Sequence, residues 1–294
     1  HDLVYYLIET FKKEGVNISL PSLRIDAFAL DVMSKVQDIK KSSLTFAPEA
    51  GSQRLRNVIN KGLTEENILN GAMSAFTSGW NKVKLYFMLG LPTESDEDIK
   101  GIADIAQKIV DEYYSNPSRK KGKSVSVSVS VSTFVPKPFT PFQFEPQITL
   151  DEISRRQQYL LSCVSSKKIS VSWHESYTSM LEAVFARGDR KLCDVLLTAH
   201  KRGLKFDGWE ECFSYEKWLE IFKECKIDFS FYANRERLFS EVMPWEHLDY
   251  AVSKDFLIKQ NELSHKAITT KNCREECSGC GAACYGEGVC FEKC

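Results

Sequence analysis

Six of the ten cysteines lie between residues 273 and 294, interleaved with glycines: Cys273, Cys277, Cys280, Cys284, Cys290 and Cys294. Thiolates so close together, on a glycine-rich backbone that can fold around a metal, are typical ligands of a tetrahedral metal ion or of an iron–sulfur cluster. A disulfide-rich tail and a set of reactive thiols are the alternatives. Because disulfide scaffolds belong mainly to small secreted domains, we expect a metal or a cluster.

The composition is that of an ordinary globular protein, with 294 residues, 43% hydrophobic, 27% charged and a net charge of −1. No apolar run reaches the roughly 20 residues that span a bilayer. A near-neutral charge gives no reason to expect attraction of the whole surface to nucleic acid or membrane. The other four cysteines are widely spaced and indicate reduced thiols of a cytoplasmic protein: Cys163, Cys193, Cys212 and Cys225.

The first half of the chain alternates between helix-like and strand-like patterns. Strands are predicted over 17–20 with 23–25, 43–46, 83–89 and 124–134, and helices over 3–14, 29–39, 52–59, 65–78 and 96–113. Strands separated by helices of this length indicate βαβ units with a parallel sheet, and hence an α/β fold.

Chemistry in parallel sheets gathers at the carboxyl ends of the strands. This rule directs attention to residues 24–26, 46–51, 90–94 and 136–141. In the last predicted strand, valine alternates with serine over 125–132. Its serine face either lies in water or lines a cavity that leaves room for a substrate.

Residues 149–270 change character and are predicted to be mostly helical, with no second βα series. We therefore expect three parts: a sheet domain over 1–148, a helical accessory domain over 149–270 and a cysteine-rich tail over 271–294. The chain also starts without an initiator methionine or a signal peptide, and we expect it to be the carboxyl-terminal portion of a longer protein.

Several strand-end segments together resemble the radical S-adenosylmethionine (SAM) superfamily. Leu-Tyr-Phe-Met-Leu-Gly-Leu-Pro-Thr-Glu at 85–94 resembles its fifth-strand signature, and Leu-Thr-Phe-Ala-Pro-Glu-Ala-Gly at 44–51 its fourth strand. Residues 21–26 fit the third strand and 136–143 the end of the sixth. The second half is similar to an uncharacterised branch with a short cysteine tail. The resemblance implies the last four strands of a partial six-stranded (β/α) barrel.

The resemblance also implies which residues contact the cofactor: Arg24, Glu49, Gly51, Lys84, Tyr86, Gly90, Pro92 and Glu94. Glu49 would accept a ribose hydroxyl, or would only favour the start of the helix after it. Gly90 would let a ring approach the backbone. Arg24 would pair with the SAM carboxylate or form an ion pair inside the barrel. Glu94 would cap the helix at 96–113 or tie down its own loop.

The superfamily places its C-x3-C-x2-C loop after the first strand, which has no counterpart here. The resemblance therefore implies SAM and a [4Fe–4S] cluster held by a missing amino-terminal part, with a cobalamin domain upstream left open. The tail spacing from Cys273 to Cys280 reproduces C-x3-C-x2-C, but an auxiliary Fe–S cluster or a structural zinc ion suits it better. We expect this chain alone not to cleave SAM, and the sequence does not specify the substrate.

Two other functions stay open. The chain could be a non-catalytic module whose zinc- or cluster-bound tail recruits RNA or a protein partner. It could also be an ordinary TIM-barrel enzyme with an unrelated tail. Iron with sulfide, one zinc ion, or no metal in the purified protein would separate the three hypotheses.

Overall fold

The computed structural model describes residues 6–7, 10–11, 14, 44–77, 79–117 and 122–282. Residues 6, 7, 10 and 11 are helical, as expected for the helix over 3–14. The strand predicted over 17–25, with Arg24, and the helix predicted over 29–39 lie outside the described residues. So do Cys284, Cys290 and Cys294.

A four-stranded sheet has its strands in the order β1-β2-β3-β4. Leu44 of β1 pairs in parallel with Val83 of β2, and Val127 of β3 pairs in parallel with Ile169 of β4. The strands and their connecting helices are β1 Leu44–Glu49, α1 Gln53–Val58, α2 Glu65–Thr77, β2 Lys82–Leu89, α3 Asp96–Ser115, β3 Ser126–Thr133, α4 Leu150–Cys163 and β4 Ile169–Trp173.

The middle of the sheet is also parallel. The carbonyl oxygen of Asn81 accepts from the N–H of Ser126, and that of Phe87 accepts from the hydroxyl of Ser132. The residue numbers rise together along β2 and β3, so the two strands run in the same direction. The α/β class and the parallel sheet that the sequence predicts are therefore confirmed.

Alternation of side chains explains why these segments are strands. In β3 the residues Val127, Val129 and Val131 are at most 1% exposed, whereas Ser128 between them is half-buried. The valines belong to a core that also contains Ile102 and Ile105 of α3. β-branched residues at every second position suit a pleated strand with one face buried.

The fourth strand is a correction to the sequence analysis, which predicted no βα unit after residue 148. The helix α4 leads into β4, which pairs with β3. β4 is only five residues long, and its exposed serines lower its mean hydropathy, although Ile169, Val171 and Trp173 do alternate with them.

The described residues fall into two compact units. One comprises the chain as far as Ser132 together with Arg155–Trp173, called here the sheet unit, and the other comprises Thr133–Ser154 and His174–Cys294, called the helical unit. The sequence predicts boundaries after residues 148 and 270. Around the first of these, each unit instead contains a segment from the other side of residue 148, namely Arg155–Trp173 in the sheet unit and Thr133–Ser154 in the helical unit.

Helices dominate the helical unit. They are α5 Ser176–Ala186, α6 Leu192–Lys201, α7 Tyr215–Glu224, α8 Phe229–Ala233 and α9 Lys254–His265, with a 3-10 turn at Pro141–Phe144. Met180 and Val184 of α5 pack with Trp218 and Phe222 of α7 in its core. Among the described residues, no helix has the length and apolar character needed to cross a membrane.

A fully buried arginine links segments of the helical unit. Arg187 is 0% exposed, and its guanidinium donates to the carbonyl oxygens of Ala233, at 2.9 Å, and Arg235, at 3.3 Å. Arg237 donates in turn to the carbonyl oxygen of Arg187 at 2.8 Å. Burial, with the nearby charges of Arg237 and Arg235, lowers the pKa of Arg187 to about 10, so it stays charged at neutral pH.

We expect Arg187→Met to destabilise the helical unit by about 3 kcal/mol, because carbonyl oxygens that accept charge-assisted hydrogen bonds lose their donors. Urea denaturation followed by circular dichroism would measure the change in free energy of unfolding. Arg190→Ala, at an exposed position three residues on, is the control and should change it by no more than about 0.5 kcal/mol. Equal stability of the two variants would contradict this role of Arg187.

Candidate functional site

The turn after β1 begins with an unusual backbone conformation. Glu49 has a φ of 67°, in the left-handed region that is uncommon for residues with a side chain. Its carboxylate lies 3.1 Å from the Nζ atom of Lys61. Ser52 follows as the N-cap of α1, and its hydroxyl accepts from the N–H of Leu55 at 3.0 Å. The turn thus presents a carboxylate at the carboxyl end of β1.

Gly51 brings this turn into direct contact with α3. A Cβ atom at Gly51 would lie 2.2 Å from the carbonyl oxygen of Asp98 and 2.5 Å from the nitrogen of Ile102. Gly101 on α3 faces the same contact, since a Cβ there would lie 2.7 Å from the carbonyl oxygen of Gly51. Gly51 therefore serves close backbone packing, and its predicted contact with the cofactor stays a prediction.

A buried carboxylate connects this turn with the next one. Asp98, 2% exposed, accepts hydrogen bonds from the Ser52 hydroxyl, the Arg54 guanidinium, and both the N–H and the hydroxyl of Ser95. Burial alone would raise the pKa of Asp98, but the hydrogen bonds from Ser52, Ser95 and Arg54 outweigh it and lower the pKa. The carboxylate therefore stays charged at neutral pH.

Arg54 reaches across from α1 to the turn after β2. Its guanidinium donates to the carbonyl oxygen of Thr93 at 2.7 Å and to the Thr93 hydroxyl at 3.0 Å. Thr93 itself has a φ of 63°. The turns after β1 and β2 therefore lie side by side at one edge of the sheet, as the rule about strand ends predicts.

The turn after β2 depends on Gly90 and Glu94. Gly90 has a φ of 87°, which glycine adopts without strain. Its N–H donates to a carboxylate oxygen of Glu94 at 2.8 Å, and the same oxygen lies 2.6 Å from the Arg156 guanidinium. The Glu94 side chain is 1% exposed. Burial outweighs the hydrogen bonds from Gly90 and Arg156 and raises the pKa of Glu94 to about 7.

These contacts decide between the two roles considered for Glu94. Ser95, not Glu94, forms the capping box of α3 with Asp98. Glu94 instead holds the Gly90 turn and pairs with α4, so the carboxylate is committed to protein contacts. Its assignment as a residue that binds the cofactor directly stays a prediction, and the contacts that the structure shows are those with Gly90 and Arg156. The neighbouring Pro92 is buried in the same turn.

One face of the sheet carries polar and small side chains. On β2, Val83, Leu85 and Phe87 are buried, whereas Lys84 and Tyr86 on the opposite face are half-buried. The Lys84 ammonium lies 4.7 Å from the centroid of the Tyr86 ring, a cation–π contact. Lys84 and Tyr86 thus give this face of β2 its polar character, and their predicted contact with the cofactor stays a prediction.

The same face continues onto the next two strands as serines. The hydroxyl of Ser170 on β4 lies 3.2 Å from that of Ser128 on β3. Ser130 and Ser172 form the next pair in register. Small hydroxyls leave space above the sheet and provide hydrogen-bond donors and acceptors. The half-exposed face is therefore suited to a polar ligand.

Sequence reasoning missed three residues of this edge, namely Arg54, Asp98 and Arg156. Asp98 lies in the first turn of α3, where a carboxylate is common because it favours the helix dipole, so its position alone does not indicate a long-range partner. Arg156 was assigned to an accessory domain because the fourth strand had not been recognised. The residues next to a charged side chain in a helix give little signal of a partner that is distant in the sequence.

The tail cysteines are described only in part. Cys273 and Cys280 carry free thiols, and Cys277 is disulfide-bonded. Among the described residues, no three side chains of His, Cys, Asp or Glu come together as a metal-binding group. A ligand set for the whole tail therefore stays a prediction.

The edge fits part of what SAM requires. The Glu49 carboxylate can accept a hydrogen bond from a ribose hydroxyl, and the polar face offers donors and acceptors for an amino acid group. The turn at Gly90 has no Cβ atom in the way of a ring. A [4Fe–4S] cluster has no fit there, since the sequence holds no cysteine before Cys163. Such a cluster needs cysteine thiolates from another segment.

Comparison with known proteins adds one relative. No protein-family model matches the chain, and no solved structure matches it. A protein of Methanocaldococcus jannaschii, described only as uncharacterized, is 39% identical over 184 residues. The alignment covers 62% of this chain and 37% of that protein, so this chain spans well under half the length of the curated relative that it matches.

We expect Glu94→Gln to change how stability depends on pH. Glu94 has a pKa near 7 when folded and an ordinary value of 4.5, so the folded wild type binds more protons between these values. Its stability relative to Glu94→Gln should therefore fall, by about 2 to 3 kcal/mol, as the pH rises from 5 to 8. Thermal or urea unfolding across that range measures the difference.

Glu97→Gln is the matched control, because Glu97 is exposed on the first turn of α3. Its stability should follow that of the wild type at each pH. A constant difference between wild type and Glu94→Gln over the whole range would show that Glu94 does not titrate there.

Proposed function

We propose that the sheet unit is the carboxyl-terminal part of a radical SAM-type barrel and binds the adenosyl part of SAM where the turns after β1 and β2 meet. The observation that carries this proposal is the pairing of these turns through Arg54 and Asp98. They lie at the carboxyl edge of a parallel sheet, where such folds bind their ligands. The order of the motifs, from β1 to the segment after β3, resembles that of the radical SAM superfamily and also supports the proposal.

Each turn has a distinct task in this proposal. The left-handed Glu49 places a carboxylate at the edge, where it accepts a hydrogen bond from a ribose hydroxyl. Gly90 lets the adenine ring approach the backbone, since it has no Cβ. The Glu94 carboxylate fixes the Gly90 N–H, and Asp98 keeps the two turns at a constant separation. These contacts orient the ligand before any reaction takes place.

The polar face supplies the neighbouring space. Lys84, Tyr86 and the hydroxyls of Ser128 and Ser170 bind and orient a polar substrate beside the cofactor. A [4Fe–4S] cluster, held by thiolates from another segment, would supply the electron for reductive cleavage of SAM. Its three thiolates would have to come from outside residues 1–162, which contain no cysteine. The identity of the substrate is not part of the proposal.

The test uses a longer form of the protein that contains a C-x3-C-x2-C loop, purified without oxygen and loaded with iron and sulfide. On reduction with dithionite it should convert SAM to 5′-deoxyadenosine and methionine. The 294-residue chain treated in the same way should form neither product. Absence of 5′-deoxyadenosine from the longer form would overturn the proposal, and its formation by the chain alone would overturn the placement of the cluster.

We expect Gly90→Val in that longer form to weaken SAM binding by at least about tenfold. A side chain at a φ of 87° is strained, and it would occupy the space that the ring needs. Equilibrium dialysis with labelled SAM measures the dissociation constant.

Gly203→Val is the control, because Gly203 also has a positive φ, of 79°, and has open space around it in the helical unit. It should unfold at a similarly lowered temperature while it keeps the wild-type affinity for SAM. Equal dissociation constants for the wild type and Gly90→Val would contradict the role of this turn.

A further inference from the structure

The helical unit contains a pocket of about 220 Å³, formed by residues of the segments 139–143 and 243–257. Aromatic and aliphatic side chains make up much of its wall: Phe139, Trp245, Tyr250, Met243, Val252 and Leu257. None of the residues that line it is among those assigned to the cofactor. The pocket is therefore a second candidate site, and it lies wholly within one compact unit.

A strained residue forms part of the aromatic wall. Phe139 has a φ of 59°, in the left-handed region, and a residue with a large side chain keeps such a conformation only where its surroundings hold it. Its N–H donates to the Oε1 atom of Gln143 at 3.1 Å, and its carbonyl oxygen accepts from the Tyr250 hydroxyl. The Phe139 and Tyr250 ring centroids are 4.2 Å apart. Both backbone groups of Phe139 are thus held, which fixes its ring in the wall.

Gln143 offers a hydrogen-bond donor to the pocket. It is 3% exposed, and its Oε1 atom accepts from the Nε1 atom of Trp245 at 2.8 Å as well as from Phe139. Because both partners are donors, the accepting atom is the oxygen and the other end of the amide is the NH2 group. That NH2 group has no acceptor among the described residues. A buried amide donor without an acceptor is costly, and a bound molecule with an acceptor would remove the cost.

The charged groups of the pocket already have protein partners. The Lys254 ammonium donates to one carboxylate oxygen of Glu246 at 2.8 Å, and the other oxygen accepts from the N–H of Met243 at 2.8 Å. The Asp249 carboxylate accepts from the N–H of Ala251 at 3.0 Å. These contacts compensate the charges without a ligand. The group that lacks a partner is the neutral amide of Gln143, so the pocket suits a neutral molecule.

We propose that this pocket binds a small neutral molecule made of one or two aromatic rings with a hydrogen-bond acceptor, a carbonyl oxygen or a ring nitrogen. The ring packs against Phe139, Trp245 and Tyr250, and the acceptor takes the hydrogen bond from the Gln143 NH2 group. The volume lies below the roughly 300–1,000 Å³ of sites for drug-sized ligands, which limits the ligand to this size. The inference goes beyond the proposed function, since it involves neither SAM nor the sheet unit.

Two probes of equal shape test the proposal on this chain. Quinoline has two fused rings and a ring nitrogen that accepts, whereas naphthalene has the same outline and no acceptor. Ligand-observed NMR titration at a mildly alkaline pH, where quinoline is neutral, measures both dissociation constants. We expect saturable binding of quinoline at one site, in the millimolar range or tighter.

Gln143→Glu removes the donor while it keeps oxygen atoms for Phe139 and Trp245. It should weaken quinoline binding by at least about tenfold and change the affinity for naphthalene by no more than about twofold. The difference between the two probes separates loss of the donor from collapse of the pocket, which would weaken the binding of both.

Val252→Trp provides an independent variant, because the larger side chain fills the pocket, and it should weaken the binding of both probes by at least about tenfold. Leu197→Trp is the matched control, since Leu197 is 56% exposed on α6 and does not line the pocket. It should bind both probes as the wild type does. Circular dichroism checks that each variant is folded, and an unfolded Gln143→Glu leaves the decision to the two tryptophan variants.

Three results would overturn the proposal: no saturable quinoline binding by the wild type, equal effects of Gln143→Glu on the two probes, or quinoline binding that Val252→Trp leaves unchanged. None of these results bears on 5′-deoxyadenosine formation by the longer form. Conversely, a longer form that does not cleave SAM would leave the expected quinoline binding as it is.

Discussion

The arrangement of the sheet edge depends on one buried charge, the Asp98 carboxylate. It accepts from Ser52 after β1, from Arg54 on α1 and from Ser95 after β2. A buried carboxylate is costly unless hydrogen bonds compensate its lost hydration, and here three segments supply donors. The same interactions that keep the charge in place therefore fix the distance between the two turns. If Asp98 lost these donors, the proposed cofactor edge would lose its geometry before the core lost its packing.

The two buried carboxylates of the edge, Asp98 and Glu94, have pKa values that shift in opposite directions because their surroundings differ. Asp98 has several donors, which lower its pKa in spite of burial. Glu94 is buried more completely, and Gly90 and Arg156 do not compensate fully, so its pKa rises to about 7. A firmly charged residue thus ties the turns together, while a residue that titrates near neutrality holds the glycine beside which the ring would lie.

Much of the sheet could be predicted from the sequence, because alternation of valine with serine, and the helix caps Ser52 and Ser95, are local signals. Partners distant in the chain could not be predicted in this way. Arg156 lies 62 positions from Glu94 in the sequence. Its helix, α4, leads into the short strand β4, which the sequence analysis missed, and so is connected to the sheet. The predictions for Arg24 and for three tail cysteines stay predictions, because these residues lie outside the described part of the chain.

The contact between Gly51 and Gly101 has a consequence for how the fold tolerates change. Main-chain atoms meet there with no side chain between them, so the spacing does not depend on any rotamer. A single added methyl group on either glycine would meet main-chain atoms of the other segment and push the strand end away from the helix, however well every other residue were preserved.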